Sequence, residues 1–306
     1  MSTNDVPPPY TAVTRHGLFP RTRHDEAARY NFLANFNRYM AGELGAGNRL
    51  AYEQRVLPDF VAEHGREPAD RHEIRAAMNQ DVWHQFWSAL KRNSMEMRQQ
   101  NGRATVLRQL DALDASARAY NEGSNTLQLD PDATIPRYQA AVDIHCMPGS
   151  YSGEERAGDV SAGANYDSGL FATTGGALGA LNDGGGQAVA AWSKSARPGW
   201  KPERILDIGC TVGHNAVPLA QAYPDAEVVA IDVAGPVLRY GHARAQALGV
   251  KNIIFRQVNA ENLSEFADAS FDWVQTTMFL HELSASALPR ILSEASRVLR
   301  PGGRYA

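Results

Sequence analysis

Residues 204–214 read RILDIGCTVGH. Ile205, Leu206 and Ile208 make a short apolar run with branched side chains, enough for a buried parallel strand. Asp207 interrupts that run near its end. Gly209 and Gly213 then frame a tight turn, and residues 214–223 can continue as a helix. A strand, a glycine-framed turn and a helix bring backbone N–H groups to a ligand at the end of the strand.

Downstream of residue 223 the same rhythm repeats. Apolar runs predict strands over 227–231, 253–258 and 271–275. Between and after them, amphipathic spacing predicts helices over about 236–248 and about 285–299. Strands alternating with helices in this way imply an α/β, Rossmann-like, doubly wound and mostly parallel sheet. Arg300-Pro301-Gly302-Gly303-Arg304 should introduce a fifth strand, and the sequence stops at Ala306. The expectation is therefore a sheet incomplete at its C-terminal side, with apolar surface left uncovered.

Working back from residue 204, Arg197-Pro198-Gly199-Trp200-Lys201-Pro202 reads as a connector. It divides an expected domain at 201–306 from a mainly helical region at 23–200, which would bind substrate or support a homodimer. Within that region Tyr30, Leu33, Phe36 and Met40 fall at helical spacing, with Gly42, Gly45 and Gly47 expected to end the run. A second helix is expected over about 49–63. A third should start at the Asp70/Glu73 capping box and reach about Gln100, and a fourth should cover 103–120. Residues 138–146 look strand-like. The glycine-rich stretch after them, to about Gly186, is expected to be irregular, a lid or pocket wall. It lacks the Lys-Ser/Thr of a phosphate loop. A short helix over 187–194 completes the region. Residues 1–22 are expected to be a flexible tail, and their Pro7-Pro8-Pro9-Tyr10 has the form that WW domains bind.

Composition narrows the function. The chain has 306 residues, 43% hydrophobic and 21% charged, with a net charge of −4. That balance offers no global attraction to nucleic acid or anionic membrane. Cys146 and Cys210, the two cysteines, form neither a disulfide framework nor a zinc motif. No signal peptide and no stretch of about 18 apolar residues is visible, so a cytoplasmic protein without a membrane span is expected. His145 beside Cys146 is a poor chelating pair, because neighbours on a strand face opposite ways; no metal is expected.

The ligand of the glycine turn can be read from its charges. Thr211 stands where a dinucleotide-binding turn has its middle glycine. Asp207 before the turn disfavours a pyrophosphate and would suit a ligand with an amino group. Asp232, closing EVVAID, can accept both hydroxyls of a ribose. Together LDIGCTVG, VVAID, VNAENL, SFDWVQTTMFLHEL and EASRVLRPGG resemble the class I S-adenosylmethionine-dependent methyltransferases, over about the last third of the chain. The branch they look most like contains the ubiquinone and menaquinone biosynthesis enzymes.

That resemblance implies S-adenosylmethionine as cofactor. Asp207 would lie near its methionine end, with Gly209, Cys210 and Gly213 as the close-approach turn. Asp232 and Val233 would hold the ribose, Asn259 and Ala260 the adenine, and Thr276 would stand where cofactor and acceptor meet. His281 and Glu282 are the expected catalytic pair, with His281 able to take a proton from an acceptor hydroxyl. His145, Tyr151, Tyr166 and Asp167 are candidates for the acceptor wall. A small-molecule acceptor is expected, without nucleic acid. The alternatives are methylation of RNA or protein, a non-catalytic binding protein with this fold, and, last, an NAD-dependent dehydrogenase.

Overall fold

The structure, a computed structural model, describes residues 7–13, 16–142 and 145–306. Its centre is a six-stranded parallel sheet: β1 (Leu127–Gln128), β2 (Arg204–Ile208), β3 (Glu227–Asp232), β4 (Ile253–Gln257), β5 (Phe271–Gln275) and β6 (Leu299–Tyr305). Their spatial order is β1-β4-β3-β2-β5-β6. The chain therefore winds outward from β2 first to one side and then to the other. The sequence predicts four strands and the entry to a fifth; six are present. Arg300–Arg304 does belong to a strand, which pairs with β5 through Trp273↔Arg304 and Val274↔Tyr305. The unexpected addition, β1, comes from the region upstream of residue 201 and pairs with β4 through Leu127↔Phe255.

Alternation along the strands sends apolar side chains both ways. Ile205, Val228, Ala230, Ile253 and Phe255 face one layer, formed by α5 (Gly184–Ala196), α6 (Ala216–Ala222) and α7 (Gly235–Ala247). Leu206, Ile208, Val229 and Ile231 face the opposite layer, where α8 (Ala287–Val298) supplies Ile291, Ala295 and Val298.

The helical region forms a third layer on the outer side of α7. Val237, Tyr240 and Ala243 of α7 meet Leu110, Leu113 and Ala117 of α3 (Leu110–Asn121) and Ala162 and Ala164 of α4 (Ser161–Thr174). The long α2 (Val82–Leu107) and the first helix, α1 (His24–Tyr39), lie beyond α4.

Several local expectations are corrected. The glycines at 42, 45 and 47 do not stop the first helix. It runs on from α1 through a π-helical turn at Met40–Leu44, an α segment at Gly45–Ala51, a second π turn at Tyr52–Val56 and a last α segment at Leu57–His64. The indole N–H groups of Trp87 and Trp83 donate to the carbonyls of Met40 and Leu44 at the first widened turn. Gly47 is required there because a Cβ would lie 2.4 Å from the Trp83 ring. The expected helix from Asp70 to Gln100 is two. Asp70 caps Arg71–Met78, and Asp81 caps α2 by accepting from the N–H groups of Trp83 and His84. Glu73 accepts from the Ala69 N–H rather than closing a capping box on Asp70.

The glycine-rich stretch is not irregular at its start: α4 is a buried helix. Residues 137–140 make a helical turn instead of a strand, and residues 143–144 of that expected strand lie outside the described residues. The described part of the expected tail is packed. Tyr10 is fully buried, stacked on Tyr30 with ring centroids 4.3 Å apart, and Leu18 and Phe19 are buried with it. A tyrosine so placed cannot be offered to a WW domain. Among the described residues no helix is long and apolar enough to cross a membrane.

Candidate active site

A cavity of about 380 Å³ opens at the C-terminal ends of β2 and β3. This is where the winding direction reverses, the place where open α/β sheets bind ligands. One wall comes from the sheet: Gly209, Cys210 and Thr211 after β2, Asp232 and Val233 at the end of β3, Asn259 and Ala260 after β4. The facing wall comes from the helical region, with Arg98, Gln99, His145, Tyr151 and Tyr166. Residues 277–279 and 281–283, between β5 and α8, close the rim.

The glycine turn is fixed by β3. Gly209 and Cys210 both donate to the Ile231 carbonyl, at 2.9 and 3.0 Å. Thr211 sits in the left-handed region, φ 50°, and its N–H donates to Asp232 Oδ2 at 3.0 Å. Asp232 Oδ1 accepts the Ala234 N–H at 3.0 Å. Each carboxylate oxygen is thereby aimed by one backbone bond, with acceptor capacity left for a hydroxyl pair at the cavity edge. Burial pushes the Asp232 carboxyl up to about 6, against the pull of its backbone donors. Asn259 Oδ1 accepts the Glu261 N–H at 3.0 Å and retains a second lone pair.

Six of the nine expected cofactor residues line the cavity: Gly209, Cys210, Asp232, Val233, Asn259 and Ala260. Asp207, Gly213 and Thr276 do not line it. Asp207 is buried below the turn, where its carboxyl accepts the Ala216 N–H at the start of α6 and is pushed up to about 8 by burial and by Asp232. Those surroundings favour its neutral form. Gly213, φ 77°, serves packing: a Cβ there would meet Phe255 at 3.0 Å. A Cβ on Gly209 would strike the Phe279 ring at 2.2 Å, so its close approach is to that ring. Thr276 Oγ1 bonds the Tyr305 hydroxyl at 2.7 Å, and the neighbouring Thr277 faces the cavity instead.

His281 and Glu282, the expected catalytic pair, lie on the cavity, joined there by His145, which sequence reasoning gave only as a wall residue. Glu282 Oε1 is 2.7 Å from His145 Nε2 and 3.2 Å from His281 Nε2, and accepts the Tyr151 hydroxyl at 3.0 Å. Burial raises the Glu282 carboxyl, but the donors around it win and hold it below its ordinary range. His145 thus pairs with Glu282, 137 residues away, rather than acting with Cys146. Tyr151 and Tyr166, both on the cavity wall, meet edge to face at 5.6 Å. Burial raises both phenols, Tyr166 to about 12.

Asp167 stands behind the wall. Its Oδ1 lies 2.8 Å from His214 Nε2 and its Oδ2 2.8 Å from His16 Nε2, while the Tyr240 hydroxyl donates to Oδ2 at 2.9 Å. Those bonds outweigh desolvation and keep the carboxyl well below its usual value. His214 reaches the cavity from this anchor and stacks on Tyr166, centroids 5.8 Å apart.

Residues 205–303 match the family profile described as a methyltransferase domain. This is a class I S-adenosylmethionine-dependent methyltransferase domain. A demethylmenaquinone methyltransferase of Symbiobacterium thermophilum is 39% identical over 36% of this chain and 42% of its own length. A malonyl-[acyl-carrier protein] O-methyltransferase of Methylococcus capsulatus is 38% identical over 34% of this chain and 36% of its own. The small-subunit ribosomal RNA methyltransferase G of Geobacter sp. is 32% identical over 34% of this chain and 45% of its own. The chain thus spans less than half the length of these curated relatives.

The donor set of the methyltransferase domain suits S-adenosylmethionine. Asp232 offers a carboxylate for a ribose diol and Asn259 an amide oxygen for an adenine amino group. The cavity's volume falls in the range of small-molecule and cofactor sites.

Proposed function

We propose that the protein transfers a methyl group from S-adenosylmethionine to a small-molecule acceptor. One observation carries this reading: a single cavity joins the Asp232–Asn259 end to the His145–His281–Glu282 group and the two tyrosines. On this reading the cofactor and acceptor sites are continuous, as in-line displacement requires. When bound, S-adenosylmethionine supplies a methyl group on a sulfonium, already a good leaving group. The protein's contribution is then chiefly alignment and exclusion of water. Asp232, Val233, Asn259 and Ala260 would hold the cofactor, and Tyr151 and Tyr166 would press a planar or apolar acceptor toward it. For a hydroxyl acceptor, His281, steadied by Glu282, would take the proton that the oxygen gives up on methylation.

Titration calorimetry of the full chain with S-adenosylhomocysteine tests the cofactor half, and absence of binding would refute it. Transfer of labelled methyl groups to hydroxylated or quinone-like small molecules tests the acceptor half. Labelling confined to added RNA would replace it with the RNA reading, and cofactor binding without transfer to any acceptor class would favour a binding protein.

A further inference from the structure

We propose that His145, His281 and Glu282 form a site for one divalent first-row transition-metal ion on the acceptor side of the cavity. Two imidazole nitrogens converge on one carboxylate oxygen, at 2.7 and 3.2 Å, and all three ligand atoms lie within 4.8 Å of one another. Metal–nitrogen and metal–oxygen bonds of about 2.0–2.2 Å place neighbouring ligand atoms of one ion roughly 3–4 Å apart. The three side chains therefore need only small rotations to share an ion. Two histidines and one carboxylate are the donor set of iron, zinc, manganese or cobalt sites, rather than of calcium or magnesium.

The surroundings also fit. His281 and Glu282 share the short turn Leu280–Glu282, and His145 comes from the opposite wall, so the ligands arrive from two sides of the cavity mouth. The Tyr151 hydroxyl donates to that same Glu282 oxygen at 3.0 Å, an outer hydrogen bond that orients the carboxylate. Positions left open on such an ion would face the cavity. A hydroxyl or enol oxygen bound there would be acidified by the ion, its proton leaving to water. This use of the site rests on the methyl-transfer reading; occupancy by metal does not. With the ion bound, His281 is a ligand and no longer the proton acceptor.

The test is a titration of the full chain, stripped with chelator, with Co²⁺ followed by visible absorption. One equivalent should bind with a saturating d–d spectrum. His281→Ala and Glu282→Gln should each weaken binding by at least tenfold, whereas His72→Ala, on a helix away from the cavity, should not change it. His281 is exposed, so its removal leaves the fold intact; thermal melts of each variant check this. No saturable binding, or unchanged affinity in both ligand variants, would overturn the proposal. A parallel S-adenosylhomocysteine titration of the unsubstituted chain separates this failure from failure of the methyltransferase reading.

Discussion

Asp207 and Asp232 end adjacent parallel strands, yet the fold gives them opposite work. In sequence both look like ligand residues. Strand alternation puts both on the face of Ile205, Val228 and Ala230; what separates them is position along the sheet, since Asp207 pairs with Ala230 inside it and Asp232 lies two residues further on, at the strand's end. Burial then holds Asp207 protonated, with Oδ2 having no partner among the described residues. A buried carboxyl raised from 3.8 to about 8 binds its proton more tightly in the folded state. Its contribution to stability is therefore present at low pH and lost as pH rises across that window. Asp207→Asn keeps the shape without the ionisation. The variant should gain on the parent as pH rises from 4 to 8, by on the order of a few kcal/mol at the upper end, from about 1.4 kcal/mol per unit. Urea unfolding of both proteins at several pH values measures the difference; a constant gap would show that Asp207 does not titrate in this range. Asp232, by contrast, holds Thr211 and Ala234 and borders the cavity. Asp232→Ala should weaken S-adenosylhomocysteine binding by tenfold or more in calorimetry.

At the scale of elements, the parallel strands are legible in the sequence because each is a short apolar run bounded by turn residues. The strand at 271–275 is placed as read, and those at 204–208, 227–232 and 253–257 each differ from the reading by one residue at one end. The glycine-rich helix α4 is not legible. Glycine costs a helix about 1 kcal/mol relative to alanine, so local propensity argues against one there. What it permits is contact: a Cβ at Gly163 would lie 2.4 Å from Tyr240 Cβ, and one at Gly169 would lie 2.8 Å from Arg98 Nε. Such pressure comes from α7 and α2, which no local window contains. The site divides in the same way. Asp232 and Asn259 lie at predictable strand ends, whereas the Glu282–His145 pair depends on a contact across 137 residues. Gly163→Ala should thus destabilise the protein despite its better helix propensity. The expected loss is about 1–3 kcal/mol, the range for overpacking. A urea midpoint at or above the parent's would show that α4 and α7 can part without cost.

For the whole molecule, the question is what makes the helical region and the methyltransferase domain one unit, and Asp167 is the strongest answer. It stands on α4 and bonds His16 from the N-terminal segment, His214 from the glycine turn and Tyr240 from α7. Arg244 of α7 adds its charge, with Nε 3.9 Å away. Because the Asp167 carboxyl is held below 3.8, its stabilising contribution is present above the unfolded value and lost only as pH falls through the folded one. At neutral pH the contribution is whole. Asp167→Asn replaces a two-oxygen acceptor with one oxygen and one NH₂. The amide then faces donors on several sides, and the Arg244 charge is left without its counter-ion. Removing one partner from a buried charged group costs about 3–5 kcal/mol, so the unfolding midpoint should fall accordingly. Hydrogen exchange gives the sharper reading. If Asp167 ties the layers together, amide protection should drop at once in the segment around Leu18–Phe19, in α4 and in α7. Loss confined to the N-terminal segment, with an unchanged midpoint, would mean that the carboxylate only fastens that segment. The apolar contacts of Tyr240, Val237 and Leu113 would then hold the two halves together without it.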